Sequence, residues 1–223
     1  AAGVAAEAEQ VEKLAAFHEL LTAANARMNL TRVSADPAEA IDRNYLDSLA
    51  PLPHLSGAKT CVDVGSGAGF PGVPLAIFLP DTHFVLMDSL AKRVEFLRGV
   101  IEELSLNAEA VCLRAEEAGR GDMRESFDAA TARAVAPLNV LCELLLPLVR
   151  VGGKAGALKG PGAAAEAEAA QNALDALGGR LAAIEEVPIP GRDWAHTLAV
   201  LTKTAPTPEK YPRRAGVPEK RPL

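Results

Sequence analysis

From Thr60 onward, short apolar segments rich in valine or alanine (60–64, 83–88, 109–113, 127–132 and 151–158) alternate with stretches of helical periodicity (73–79, 90–106, 137–149 and 163–177). That alternation restricts the fold more tightly than any other property of the chain. Strands separated by helices pair in parallel and need helices on both faces of the sheet. Two later strand-like stretches, 180–188 and 195–203, are joined by PIPGRDW, which is too short for a crossover helix; they predict an antiparallel pair at one sheet edge. The first 57 residues follow a different pattern. Val11, Leu14, His18 and Leu21 recur at helical spacing among Glu7, Glu9, Glu12, Lys13 and Glu19, so an amphipathic helix is expected over 5–28, its apolar stripe packed on something larger. Ser34 and Asp36 ahead of Pro37 form an N-cap beside a first-turn proline, opening a second helix that runs through Ile41, Tyr45 and Leu49 to Pro51. The expected organisation is a helical extension over 1–57, an α/β domain over 58–205 and a basic, proline-rich tail over 206–223.

With 223 residues, 49% of them hydrophobic, the chain can bury one substantial core plus a helical appendage. Cys61, Cys112 and Cys142 are odd in number, distant from one another and set in apolar runs, which suits free thiols in a reducing, cytoplasmic setting rather than disulfides or a metal site. The four histidines, His18, His54, His83 and His196, have no metal-ligand spacing either. AAGVAAEAEQ lacks a basic start followed by an apolar stretch, and the longest apolar runs are too short to span a bilayer, so neither export nor membrane insertion is expected. A net charge of −6 argues against a protein that coats nucleic acid by bulk electrostatics; DNA is not an expected partner, and a monomer is the expected state. Local charge differs. Residues 203–223 hold Lys203, Lys210, Arg213, Arg214, Lys220 and Arg221 against Glu209 and Glu219, a balance of +4 that leaves −10 for the rest.

The stretch CVDVGSGAGFPG joins the first strand to the next helix and places five glycines and prolines between Gly65 and Gly72. A parallel sheet binds ligands at this end of its strands. A triphosphate loop would continue from Gly67–Gly72 into a lysine and a hydroxyl, but Val73 and Pro74 stand there instead. A dinucleotide loop needs GxGxxG, and Gly65, Gly67, Gly69 and Gly72 do not give that spacing. S-adenosylmethionine carries no phosphate and fits better. Asp63 can face its ammonium group directly or through water, the glycines let backbone approach it, and Asp88, 23 residues after Gly65, can accept from both ribose hydroxyls. A plain strand-to-helix turn is the alternative for the loop taken alone.

Together with VDVGSGAGFPGVPLAIFLP, the segments NLTRV, RNYLDSLAPL, DSLAKRVEFL, RAEE, ATARAVAPL, LKG and KYPRRAGVPEKRPL occur in an order that resembles the RsmG family, also called glucose-inhibited division protein B. The likeness runs from residue 29 to the last residue. It implies a class I, Rossmann-like methyltransferase, with a mostly parallel sheet, an antiparallel edge strand and an N-terminal helical extension, that uses S-adenosylmethionine to methylate N7 of a guanosine in bacterial small-subunit (16S) ribosomal RNA. Matched position by position, it implies cofactor contacts at Gly65 and Phe70, the ribose segment at Asp88, Ser89 and Leu90, the adenine border at Ala115 and Glu116, and an arginine near methyl transfer at Arg133. Gly67 belongs to the same glycine set. Where the family often has histidine and a bulky aliphatic residue, this chain has Asn44 and Tyr45.

Guanine N7 carries a lone pair and no proton, so its methylation needs no general base. The enzyme must supply alignment and tolerate a purine that becomes cationic. Arg133 and Lys159, each following a strand on the ligand side of the sheet, are the expected catalytic donors to the guanine or nearby phosphates; a surface ion-pair role is the alternative for both. RNA contacts are expected from Asn29 and Arg32 in NLTRV, from Lys159, and from Lys210, Arg213 and Arg214 in the tail, where cations, Tyr211 and prolines suit an extended segment on phosphates. A solubilising tail is the competing reading. For the whole protein, the rivals are a noncatalytic RNA-binding or ribosome-assembly protein and an NAD-linked oxidoreductase, the latter opposed by the missing third glycine.

Overall fold

The structure, a computed structural model, describes residues 5–28, 30, 31 and 37–223. Asn29, Arg32, Ser34 and Asp36, and with them the second helix's N-cap and one expected RNA patch, lie outside the described residues. Helix α1 spans Ala8–Met28; α2, Pro37–Ala40, continues as a π-helical turn over Ile41–Leu46; α3 is Leu52–Leu55. There follow β1 (Thr60–Val64), α4 (Gly72–Phe78), β2 (His83–Asp88), α5 (Ala91–Glu103), β3 (Ala108–Cys112), α6 (Ala115–Ala118), β4 (Phe127–Arg133), α7 (Leu138–Leu145) and β5 (Val149–Lys159). The chain ends with α8 (Ala163–Ala169), α9 (Gln171–Leu177), β6 (Gly179–Glu186), β7 (Thr197–Lys203) and α10 (Val217–Lys220).

The seven strands lie in the order β3-β2-β1-β4-β5-β7-β6. The first five are parallel, and β7 enters antiparallel between β5 and the edge strand β6. Strand order reverses beside β1, between it and β4, which is where an open α/β sheet leaves a crevice for a ligand. The expected 180–188 and 195–203 pair forms as β6 and β7, because PIPGRDW turns the chain back without a crossover.

The period-2 alternation of the strands separates two cores. Val62, Val64, Val85 and Met87 face α7 and α9, where Leu138, Leu141, Leu145, Leu174 and Leu177 are buried. Cys61, Phe84, Leu86 and Ala129 face the other way, onto α4, α5 and α1. The face of α1 that turns inward carries Phe17, Leu21 and Ala24; Val11, expected in the stripe, is 54% exposed. Phe17 sets the orientation, since the largest apolar side chain on the helix gains most from burial. It is fully buried, and its ring meets those of Phe70 and Tyr45 at 5.2 and 6.0 Å. Helical extension and sheet therefore share one core. Among the described residues, no helix is long and apolar enough to cross a membrane.

The tail is ordered. Arg124 donates to the carbonyls of Thr207, Pro208 and Tyr211, and Arg213 forms a two-pronged ion pair with Glu143, a carboxylate only 1% exposed on α7. An extended arm lying free for phosphates, the expectation from composition, is not what these contacts build.

Candidate active site

Between β1 and α4 the loop opens with Gly65 at φ +70°, and a Cβ there would stand 2.6 Å from Val135 Cγ2. Glycine is required for both reasons. The Gly65 and Ser66 N–H groups donate to the Met87 carbonyl, tying the loop to the end of β2. Asp88 closes that strand. Its carboxylate accepts from the Gly67 N–H (3.0 Å), the Leu90 N–H (2.9 Å) and Arg93 (3.2 Å). Ser89 and Leu90 are exposed, and Ser89 lines the cleft across the strand ends whereas Leu90 does not.

Asp63 is fully buried beneath the loop and does not line the cleft, which leaves no room for the direct ammonium contact. Register explains its position, because Asp63 pairs with Thr131 across β1 and β4, and parallel neighbours in register carry their side chains on the same face. Thr131 Oγ1 donates to one carboxylate oxygen at 2.9 Å, and the Gly72 N–H at the start of α4 donates to the other at 3.1 Å. Burial raises the carboxyl to about 6 despite these bonds and the nearby Arg133 charge. Phe70 is likewise covered, only 5% exposed. It lies between Phe17 and Tyr45, with the Arg133 guanidinium 4.8 Å from its ring centre, so it braces the loop against the extension.

A cleft of about 160 Å³ runs across the carboxyl ends of β1, β2, β3 and β4. Gly65 and Ser89 form one part of its wall; Leu113, Ala115, Val140 and Leu144 form an apolar part. Ala115 and Glu116 are buried there, at the start of α6, and Glu116 accepts from the Gly216 N–H at 2.8 Å. Val135 and Ala136 close the cleft on the β4 side.

On the far side of that segment lies a second cleft of about 300 Å³, lined by residues that include Arg43, Asp47, Arg133, Lys159, Glu166 and His196. Arg133 belongs to this cleft and not to the lining of the first. Its Nη1 donates to the carbonyls of Arg43 (3.3 Å) and Asn44 (3.2 Å) in the π-turn and to Ser48 Oγ (3.3 Å), and it lies 3.5 Å from the Asp47 carboxylate. Burial pulls its guanidinium down from the ordinary value while Asp47 and Asp63 hold it charged. Lys159, expected as a donor to the purine, has its ammonium 2.6 Å from Glu166 and 2.9 Å from the Ala136 carbonyl. Ala134 sits at φ +54°, a region costly for a residue with a Cβ. The segment 133–136 is thus held from both ends, by Arg133 on the π-turn and by Lys159 on Ala136.

Asn44 and Tyr45 are buried, and the Tyr45 hydroxyl lies 3.0 Å from His18 Nδ1. Lys210 and Arg214 remain exposed, the former 5.2 Å from the Tyr211 ring, whereas Arg213 is spent on Glu143. Sequence reasoning missed Asp47, His196 and the tail residues Pro218 and Glu219, which line the first cleft. Asp47 joins His196 at 3.0 Å across 149 positions, a separation no local pattern signals.

A reversed seventh strand, a glycine turn after β1, an acidic residue closing β2 and a cleft across the strand ends define a Rossmann-like class I methyltransferase fold. Consistent with that, the structure is similar to the O-methyltransferase from Bacillus cereus solved in complex with SAH, at a TM-score of 0.61 and 16% identity, over 90% of this chain and 93% of that one. The family model GidB, described as rRNA small subunit methyltransferase G, matches residues 10–192. Proteins named ribosomal RNA small subunit methyltransferase G are similar over nearly the full length. The one from Lactobacillus johnsonii is 43% identical across 96% of this chain and 92% of its own, and that from Alkaliphilus metalliredigens is 44% identical across 96% and 91%. The chain belongs to the GidB family of small-subunit ribosomal RNA methyltransferases.

Proposed function

We infer that this protein methylates N7 of a guanosine in bacterial small-subunit ribosomal RNA, with S-adenosylmethionine as methyl donor. The observation that carries the reading is the pair of clefts meeting on opposite sides of Arg133–Ala136. The first cleft fits the donor: Gly65 brings bare backbone to its wall, Arg114 is the one cation among the described lining residues, too few for phosphates, and the lining residue Ser89 follows Asp88, the acceptor we assign to the ribose hydroxyls. When bound, S-adenosylmethionine supplies an electrophilic methyl group on a sulfonium.

The residues of this chain then have separable tasks. Gly65 and Gly67 bring backbone to the donor, Asp88, Ser89 and Leu90 meet its ribose, and Ala115 and Glu116 border its adenine. Arg133, anchored on the π-turn, positions the target purine and a flanking phosphate in the second cleft. Lys159 is a positioning residue, since its ammonium fixes the Ala136 carbonyl and so the partition between the clefts. N7 releases no proton, so no side chain has to act as base. Asp47 and Glu166 neutralise Arg133 and Lys159, which keeps the second cleft from opposing a ring that becomes cationic.

Lys210 and Arg214 are exposed tail cations that we assign to RNA phosphates, with Asn29 and Arg32 as a second patch. With small basic patches on an acidic protein, the assembled ribonucleoprotein particle, whose shape supplements charge, is the preferred substrate over protein-free RNA. The test is methyl transfer from labelled S-adenosylmethionine to unmodified small-subunit particles and to free 16S RNA, with mass spectrometry locating the methyl group. One N7-methylguanosine, formed faster on particles, is expected. Absence of transfer would reject the function, and equal rates on free RNA would reject the particle preference.

A further inference from the structure

We propose that the C-terminal segment is a wall of the methyl-donor cleft, packing Pro218 against the purine of the adenosyl group, and that Arg213 and Glu116 hold it there. The proposal rests on the assignment of that cleft to S-adenosylmethionine. By composition this segment is the most RNA-like in the chain, yet its contacts point inward. Glu143 is almost fully buried on a helix whose other buried residues are apolar, and a carboxylate there requires a partner. Arg213 supplies one with its side chain, at 2.6 and 2.9 Å, and its own backbone N–H donates to the same carboxylate at 2.7 Å. Three residues on, the Gly216 N–H donates to Glu116, the residue that follows Ala115 in the cleft wall. Gly216, at φ +76°, turns the chain into α10, and α10 delivers Pro218 and Glu219 to the cleft lining.

Leu113, Ala115, Val140, Leu144 and Pro218 thus make an apolar surface contributed by the residue after β3, by α6 and α7, and by the tail. A flat, uncharged heterocycle is the part of the donor that suits such a surface; its ammonium, carboxylate and ribose hydroxyls do not. Pro218 is itself buried and brings a rigid ring that loses no side-chain freedom on contact. Because the tail forms part of the site, ligand binding and tail docking are linked, and each must strengthen the other by the same factor.

The experiment uses the full-length protein with S-adenosylhomocysteine and adenosine as probes, titrated calorimetrically against wild type, Pro218→Gly and Arg213→Ala, with ligand-free melting curves to confirm folding. Both variants are expected to weaken S-adenosylhomocysteine at least tenfold and adenosine by a similar factor, because the lost contact is with the moiety the two share. Hydrogen exchange of wild type should slow across Gly216–Lys220 when S-adenosylhomocysteine binds, a change that a tail serving only stability would not produce. Unchanged affinity in both variants, or unchanged exchange of the tail in the bound protein, overturns the wall. Failure of wild type to bind S-adenosylhomocysteine overturns the cofactor assignment beneath it, a distinct outcome.

Discussion

Asp63 and Arg133 both read as ligand contacts in sequence, and both are held by protein groups. Burial lifts the Asp63 carboxyl from 3.8 to about 6, so between those values the folded protein keeps a proton that the unfolded chain has released. The contribution of this residue to stability is therefore complete below pH 4 and is lost as pH rises through 6, by about 3 kcal/mol. Asp63→Asn keeps an acceptor for the Gly72 N–H and removes the charge. Its stability relative to wild type should rise by about 2 kcal/mol between pH 4 and 7.5 in urea denaturation; a constant difference would show that Asp63 does not titrate in this range. Arg133 lies outside the donor cleft, so Arg133→Ala should lower turnover on particles by about 10²-fold, the usual loss for one preorganised donor. Affinity for S-adenosylhomocysteine should stay within a factor of about three in calorimetry. Arg133→Lys should recover little, since a compact ammonium lacks the planar group that lies 4.8 Å from the Phe70 ring centre while Nη1 reaches Arg43, Asn44, Ser48 and Asp47.

At the scale of elements, a close tolerance lies where α4 begins. Gly72 approaches the sheet so nearly that a Cβ would stand 2.4 Å from Leu86 Cδ2 and 2.6 Å from Asp63 Oδ2. Gly72→Ala should cost about 1–3 kcal/mol in urea denaturation, because α4 must lift off β2 and stretch the bond to Asp63. A variant as stable as wild type would mean that α4 moves freely. The strands themselves were legible, with β1 and β2 running over the expected residues and β3, β4 and β5 shifted by no more than two at either end. Their runs of buried valine and alanine have no rival interpretation once they alternate with helices. Less legible were α6, which has only four residues, and the break at Ala170 that divides the expected helix 163–177 into α8 and α9. Short elements owe their existence to what they pack on, and here α6 exists between α7 and the tail.

For the whole molecule, the helical extension is tied to the sheet at two distant places. Phe17 enters the core under the glycine loop, while the π-turn and Asp47 just after it reach the β6–β7 connection through Arg192 and Asp42, Asp47 and His196, and Arg43 against Trp194 at 4.7 Å. Extension and sheet should consequently unfold in one transition. Phe17→Ala should lower its stability by about 3–5 kcal/mol, with Trp194 fluorescence and helical circular dichroism shifting to the same lower urea midpoint. Separate midpoints would mean that the extension melts on its own. What the sequence by itself determined is the class of sheet and, through a missing lysine and a misplaced third glycine, the kind of ligand its loop can hold, because both depend on residues adjacent in the chain. Only the tertiary structure decided which charges remain available. Arg133, Lys159 and Arg213 look alike as cations in a sequence, yet Asp47, Glu166 and Glu143 approach them within 3.5, 2.6 and 2.6 Å. Ion pairing follows distance in space, and the fold alone brought those carboxylates near.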